Sequence, residues 1–417
     1  MRVLMVSWEY PPLLVGGLGR HVHALAEQLA AGGHEVTVLT RGGAPSLALP
    51  ADEVTRGVRV LRVADEPAQP GFEDDLLGWV AVLDKSLARA GRALRERPDV
   101  VHAHDWLGGR AAAALVAHYG APLVATLHAT EAGRHQGWLP EPLNRAIHAE
   151  EWRLASGADR VITCSAAMRG EATRLFDLPD GIVEVVPNGV DPERWRPTPQ
   201  AVAAARRRWA PDGPLVLYYG RLVHEKGVHD LLAAVARLRR RYPGIRVVVA
   251  GTGPKATELR ELARRLRLGR SVAFGGFVPD AEIAALAAAA DCAVVPSVYE
   301  PFGLVALEAA AAGTPVVVSD VGGLREFVAD GRTGLRFPAG DPAGLADAVG
   351  RLLADPGLGR RLVAEARLVL DRDHAWSRVA ERTVEVYRRA AAERRIPASP
   401  GAAVPGPREG NLLTGAP

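Results

Sequence analysis

The first chemistry the sequence offers is a pair of cations between a strand end and a helix start. Gly220-Arg221 closes the apolar run Leu215–Tyr219, and Lys226-Gly227 stands immediately before a helical pattern. Two cations there, beside the free amides of a helix N-terminus, make a candidate clamp for a diphosphate. Further on, residues 297–308 read Ser-Val-Tyr-Glu-Pro-Phe-Gly-Leu-Val-Ala-Leu-Glu. Pro301 and Gly303 place a helix start near Phe302–Leu304, so Glu300 precedes the helix and Glu308 falls in its second turn. The amides of Gly303 and Leu304 can then receive a phosphate while the two carboxylates bind hydroxyls on either side. Taken alone, the two glutamates could equally be a capping carboxylate and a solvated helix residue. In the N-terminal half, Gly16-Gly17-Leu18-Gly19 follows Trp8–Val15 and opens a helix. Glycines there admit close approach of backbone to a ligand.

These residues must be held by regular elements. Val3–Val6, Val36–Leu39, Val58–Val63, Val100–Ala103, Leu123–Thr126, Val161–Thr163 and Val183–Val186 read as strands. They are near-continuously apolar, as expected of a parallel sheet covered on both faces. Helical patterns such as Arg20–Ala31 alternate with them, which predicts a doubly wound α/β layer. After Asp191 the pattern restarts with Leu215–Tyr219, Val247–Ala250, Val272–Phe274, Ala293–Val295, Pro315–Ser319 and Gly334–Phe337. The expectation is an α/β chain of two Rossmann-like domains, 1–191 and 192–373, facing a central cleft toward which strand carboxyl ends point. Residues 374–390 are expected to form a last helix crossing back to the first domain, and 391–417 a disordered tail.

Composition narrows the function classes. The chain has 417 residues with 51 Lys+Arg against 48 Asp+Glu, so its net charge of +3 provides no concentrated basic field for nucleic acid. Aromatic residues make up 5%, too few for a base-stacking platform. The two cysteines, Cys164 and Cys292, offer neither a disulfide framework nor a zinc knuckle, and they read as packing residues. A reducing, cytoplasmic location is the simplest expectation. No apolar run reaches the roughly 18 residues of a membrane span.

The ordered set Gly16-Gly17, Gly220-Arg221…Lys226-Gly227 and Glu300…Glu308, an E-x7-E element, resembles glycosyltransferase family 4 with the GT-B fold. Pro187-Asn188-Gly189-Val190-Asp191 at the boundary is typical of that family, and the resemblance spans roughly residues 1–390. Within it, the first half is similar to actinobacterial glycogen-synthase-like α-glucan glucosyltransferases. His102-Ala103-His104-Asp105-Trp106, His128-Ala129-Thr130-Glu131 and Arg134-His135-Gln136-Gly137 carry that likeness. Bacterial-type glycogen synthases usually have Lys where Val15 stands and Cys where Phe302 stands, which points to family 4 rather than its neighbour.

The resemblance implies roles. Arg221 and Lys226 would neutralise the leaving nucleotide diphosphate, Glu300 would hold sugar hydroxyls, and Glu308 would hold the ribose. Backbone at Gly16, Gly17, Phe302, Gly303 and Leu304 would meet the donor, and Val278 the nucleotide base. His128 would touch the 6-hydroxyl of the reacting sugar, and His104, Asp105 and Glu131 would serve the acceptor. It implies retention of anomeric configuration, a UDP- or ADP-glucose donor as substrate, an α-1,4-glucan acceptor, and no cofactor or metal. A mannosyl- or other hexosyltransferase acting on a lipid or small molecule, and a nucleotide-sugar 2-epimerase, are the rivals.

Other motifs are weaker. His102 and His104 share one strand face, but no third metal-ligand spacing is evident. Asp371 and Asp373 form a D-x-D string in a charged segment expected to precede a helix, far from any strand end. The glycine loop is not a dinucleotide fingerprint, because Trp8–Val15 intervene and Thr40-Arg41 stands where an acid is required after the second strand.

Overall fold

The computed structural model describes residues 1–393, apart from 48, 65, 67–70 and 73. The chain divides into two compact units, residues 1–188 together with the chain from Trp376, and Gly189–Ala375. The expected boundary at Asp191 lies beside the observed one. The expected tail begins inside a helix, Trp376–Ala392, and from residue 394 it lies outside the described residues.

In the first unit the strands are β1 (Arg2–Val6), β2 (Glu35–Gly43), β3 (Asp52–Thr55), β4 (Val58–Ala64), β5 (Val100–His104), β6 (Leu123–Leu127), β7 (Arg160–Thr163) and β8 (Val183–Val185). They form one sheet in the order β3-β4-β2-β1-β5-β6-β7-β8. Every pairing is parallel except β3 with β4. β3 escapes the sequence pattern because it is a polar edge strand, Asp-Glu-Val-Thr, with Val54 exposed. It is joined to β4 by Arg56-Gly57, both at positive φ (48° and 80°), the conformation a tight two-residue hairpin needs.

The second unit holds β9 (Leu215–Tyr219), β10 (Arg246–Ala250), β11 (Val272–Gly276), β12 (Cys292–Val295), β13 (Val316–Ser319) and β14 (Leu335–Phe337). Their order, β11-β10-β9-β12-β13-β14, is all parallel. Counted within the unit this is 3-2-1-4-5-6, the dinucleotide-fold order. The reversal of direction lies between β9 and β12, and its counterpart in the first unit lies between β1 and β5. Loops leaving these four strands at their carboxyl ends therefore frame the natural ligand crevice of each unit.

Both cores follow from the apolar strands. Val216, Val247, Val249, Val294 and Val317 pack with Leu231, Leu232 and Val235 of the helix Val228–Arg241. In the first unit Val3, Met5, Val38, Val60 and Val124 pack with Val22, Leu25 and Leu29 of the helix Gly17–Ala31. The helix Trp376–Ala392 completes that core with Val379, Val384 and the fully buried Tyr387. Tyr387 is also the reason this helix docks in one register, because its hydroxyl lies 2.7 Å from His102 Nδ1. The D-x-D string closes the helix Pro356–Asp373 and precedes the helix Trp376–Ala392, as expected, and Asp373 pairs with Arg372 at 2.6 Å.

Candidate functional site

In the second unit the switch-point loops bring the predicted residues together. After β9 the chain turns at Gly220, and Lys226-Gly227 leads into the helix Val228–Arg241. After β12 it runs through Ser297 to Gly303, where the helix Leu304–Ala312 begins. Lys226 Nζ lies 2.7 Å from Glu300 Oε2, and the Ser297 hydroxyl donates to the same oxygen at 3.0 Å. Both side chains of the ion pair are largely covered, at 22% and 12% exposure. Arg221 is placed differently: its guanidinium is half exposed and reaches Glu225 at 3.4 Å. The two expected clamp cations are therefore unequal, one tucked beside Glu300 and one at the rim.

Backbone contacts fix this geometry. Glu225 accepts the amides of Val298 and Tyr299, tying the two loops together. The Glu300 carbonyl accepts the Gly323 amide at 3.0 Å. A Cβ on Gly322 would stand 2.1 Å from that carbonyl oxygen, so the Gly322-Gly323 pair after β13 lets the Glu300 loop lie flat against it. Gly303 holds φ +104° and caps the helix without a side-chain hydrogen bond, so no capping oxygen competes for its first amides. Phe302 and Glu308 are buried at this helix start, and Leu304 is its first residue. Val278 lies half-buried in the loop that follows β11. Ser297, Glu225 and Gly322-Gly323 were missed in the sequence. The last of these carries a legible signal, a glycine pair two residues beyond the end of a strand.

In the first unit, His104 ends β5 and His128 follows β6. His104 Nδ1 lies 3.3 Å from His128 Nε2. Asp105, at φ +58°, turns its carboxylate back to accept the His128 amide at 2.7 Å. His21, from the helix Gly17–Ala31, packs its ring 4.8 Å from that of His128, and Asn188 Oδ1 accepts its Nδ1–H at 2.8 Å. Burial depresses His21, His104 and His128 below the usual imidazole range, His128 to about 3. All three are neutral rings at pH 7, able to exchange hydrogen bonds with hydroxyls.

No spacing in the sequence marks a third partner for the His102 and His104 pair, and the structure groups His104 with two other histidines instead. His21, His104 and His128 bring ring nitrogens within 4.8 Å of one another. His102 is not a member, since its nitrogens face Tyr387 and Thr126 at 2.7 Å each. Three neutral imidazoles are a donor set for a zinc-class ion as well as for a sugar.

Glu131 lies apart from this cluster, held by Asn144 at 2.7 Å and Arg134 at 3.4 Å, while its amide donates to the buried Glu151. The glycine loop is also engaged. The amides of Val15 and Gly16 donate to Glu9 Oε2 at 2.8 and 2.9 Å. The expected anion-binding amide of Gly16 is thus occupied by a carboxylate of its own chain, while Gly17 opens the following helix.

Burial pushes the Asp105 carboxyl up to about 6, against the downward pull of the His128 amide and Arg134. Its unfolded value is about 3.9. The folded state therefore binds the proton more tightly, and Asp105 costs stability progressively as pH rises from about 4 to 6. Asparagine keeps the carbonyl acceptor and tolerates positive φ. The Tm advantage of Asp105→Asn over wild type should therefore widen from pH 4 to 6 and then level off. A difference that stays constant across this window, measured by thermal unfolding, would contradict the buried acid.

Two doubly wound units with polar constellations at their switch points define a GT-B glycosyltransferase. The sequence matches Glycosyltransferase Family 4 over residues 15–194 and Glycosyl transferases group 1 over residues 202–369, and the chain belongs to this family of enzymes. It is 48% identical over 397 residues to the glycogen synthase of Mycobacterium tuberculosis H37Rv, covering 93% of this chain and 94% of that one. It is 38% identical over 423 residues to the D-inositol 3-phosphate glycosyltransferase of Acidothermus cellulolyticus, covering 95% and 92%. The solved structure of sucrose-phosphate synthase from Thermosynechococcus elongatus superposes with a TM-score of 0.81 at 29% identity, covering 94% of this chain and 99% of that one. Among the described residues, no helix is long and apolar enough to cross a membrane.

Proposed function

We propose that this enzyme transfers glucose from UDP- or ADP-glucose to an α-1,4-glucan, with retention of configuration. The observation that carries the reading is the Lys226–Glu300 pair beside the open start of the helix Leu304–Ala312. The 48% identity to a glycogen synthase supports the choice of glucose and glucan.

In this reading the donor exchanges partners within the pair. An arriving diphosphate draws the Lys226 ammonium from the Glu300 carboxylate, with Arg221 adding charge at the rim and the amides of Gly303 and Leu304 receiving phosphate oxygens. Glu300, released, accepts hydroxyls of the glucose, while Glu308 serves the ribose and the Val278 backbone the base. The bond from the anomeric carbon to the diphosphate oxygen breaks, and the electron pair leaves with the diphosphate. The acceptor oxygen bonds to the same carbon on the same face, and its proton passes to the departing phosphate oxygen. His128 offers a neutral ring to the 6-hydroxyl, and His104, Asp105 and Glu131 serve acceptor hydroxyls. The cations do the work for which other transferases recruit a metal, so none is required for this chemistry.

A second reading keeps the donor and changes the acceptor. The 38% identity to a D-inositol 3-phosphate glycosyltransferase favours a small phosphorylated acceptor. One experiment separates the two. UDP-glucose and ADP-glucose are offered with glycogen, maltooligosaccharides or inositol 3-phosphate, and nucleotide release and product are measured. Glucan elongation is expected with one of the donors. Release only with inositol phosphate would replace the glucan reading, and release with none would overturn both.

A further inference from the structure

The three histidines of the first unit make more of a site than a sugar contact needs. His21 comes from the helix Gly17–Ala31, His104 ends β5 and His128 follows β6, so three separate elements converge beside the switch point. One nitrogen from each ring lies within 4.8 Å of the other two. His104 Nδ1 and His128 Nε2 are already 3.3 Å apart. Tetrahedral Zn–N bonds of roughly 2.0–2.1 Å set ligand nitrogens about 3.3 Å apart, so the widest gap in the cluster must shrink by about 1.5 Å at most.

The surroundings hold these rings as metal ligands are held. Asn188 Oδ1 accepts the Nδ1–H of His21 at 2.8 Å, which leaves Nε2 as the nitrogen with a lone pair to offer. Metal-bound histidines are oriented in this way, by a carbonyl on the other ring nitrogen. The Trp376 ring packs 5.4 Å from the same imidazole and limits its swing. Behind His104 stands His102, ring centroids 4.0 Å apart, itself fixed by Tyr387 and Thr126. His104 Nε2 is buried and has no hydrogen-bond partner among the described residues. No partner at that nitrogen therefore fixes the His104 tautomer, and Nδ1 can turn its lone pair to an ion.

One neutral ring is enough to meet a sugar hydroxyl, whereas three converging imidazoles are a ligand set. Imidazole suits borderline ions such as zinc, and Mg²⁺ prefers six oxygens, so the cluster discriminates between the two. Access is also present: His21 and His104 are buried, but His128 is half-buried and gives the cluster a face toward solvent.

We propose that His21, His104 and His128 bind a zinc-class ion, and that the ion inhibits transfer by taking the place of the sugar. Three protein ligands leave a fourth position to water, and the His128 lone pair is then engaged by the ion instead of a sugar hydroxyl. The ion is thus an inhibitor and not a cofactor. Inhibition rests on the role proposed for His128 above, whereas binding rests on the cluster alone.

Titration of the untagged, chelator-treated full chain with Co²⁺ tests the site. One equivalent should give the intense visible bands of a four-coordinate ion; Zn²⁺ should displace it and Mg²⁺ should not. Asn188→Ala should lower the affinity about 10–100-fold, the usual cost of losing a ligand's orienting partner. His21→Gln and His128→Ala should lower it at least as much. His128 is half-buried, so its variant disturbs the core least, and circular dichroism checks that each variant folds. A pale six-coordinate spectrum, or an affinity indifferent to His21 and His128, overturns the site. With a donor and acceptor that support turnover, Zn²⁺ buffered at about ten times its Kd should raise donor KM about tenfold by mass action. At the same free Zn²⁺, Asn188→Ala should show a rise of about twofold at most. An unchanged wild-type KM overturns the inhibition, and failure of every glucose donor to turn over overturns the glucosyl-transfer reading while the Co²⁺ spectrum still decides the site.

Discussion

Lys226→Ala and Glu300→Gln are expected to lower kcat by about 10²–10³ each, the cost of removing one preorganised electrostatic partner from a transition state. Their effects on binding should have opposite signs. Lys226 is held by Glu300 at 2.7 Å, so in the proposed function an incoming diphosphate would compete with a carboxylate for the ammonium. Alanine at 226 removes the grip, and the nucleoside diphosphate should bind more weakly. Glutamine at 300 removes the competitor, and the same ligand should bind about 3–10-fold more tightly while turnover collapses, a charge-assisted hydrogen bond having been released. Arg221→Ala should have a smaller effect than Lys226→Ala, because Arg221 is half exposed and screened. Calorimetry with the nucleoside diphosphate alongside steady-state kinetics makes the check. Weaker binding in both variants would mean that the pair is an architectural ion pair, and the partner-exchange step would be lost.

The contrast between what the sequence showed and what it concealed has a physical basis. β9, β10, β12 and β13 were legible because strands covered on both faces must be apolar throughout, and valine-rich runs have few other uses. Gly227 and Gly303 were legible as loop-to-helix joints. β3 was hidden because an edge strand pairs on one side only and tolerates Asp, Glu and Thr. His21 was hidden because its meeting with His104 and His128 depends on the packing of the helix Gly17–Ala31 across the sheet, a contact with no local spacing. Asn188, which orients His21 from 167 residues away, was noticed only as part of a boundary motif. The pairing of Lys226 with Glu300 is likewise non-local: each residue marked a site, but the register of β9 against β12 alone makes them partners. The occupied Gly16 amide shows the converse, where a correct local reading of glycine freedom leaves open which carboxylate fills it.

The joint that fixes Lys226 leads to the second large effect. Gly227 holds φ +62°, and a Cβ there would stand 1.9 Å from the carbonyl oxygen of Pro296, the residue before Ser297. Gly227→Ala would therefore combine left-handed strain of about 1 kcal/mol with a clash between two backbones that neither can relieve by rotating a side chain, for a total of about 3–5 kcal/mol. Gly340→Ala is the control in the same unit: it carries φ +72°, but nothing lies within 4 Å of its Cβ position. It should lose only the strain, about 1 kcal/mol. Thermal unfolding should therefore rank the two variants far apart, although their backbone angles are nearly alike. Gly227→Ala should also lose nucleoside diphosphate binding below its Tm, because the clash pushes the Lys226 loop away from the Ser297–Glu300 loop. If both variants lose equal stability, the close approach of these loops is not what glycine secures, and the distance between Lys226 and Glu300 must be set elsewhere.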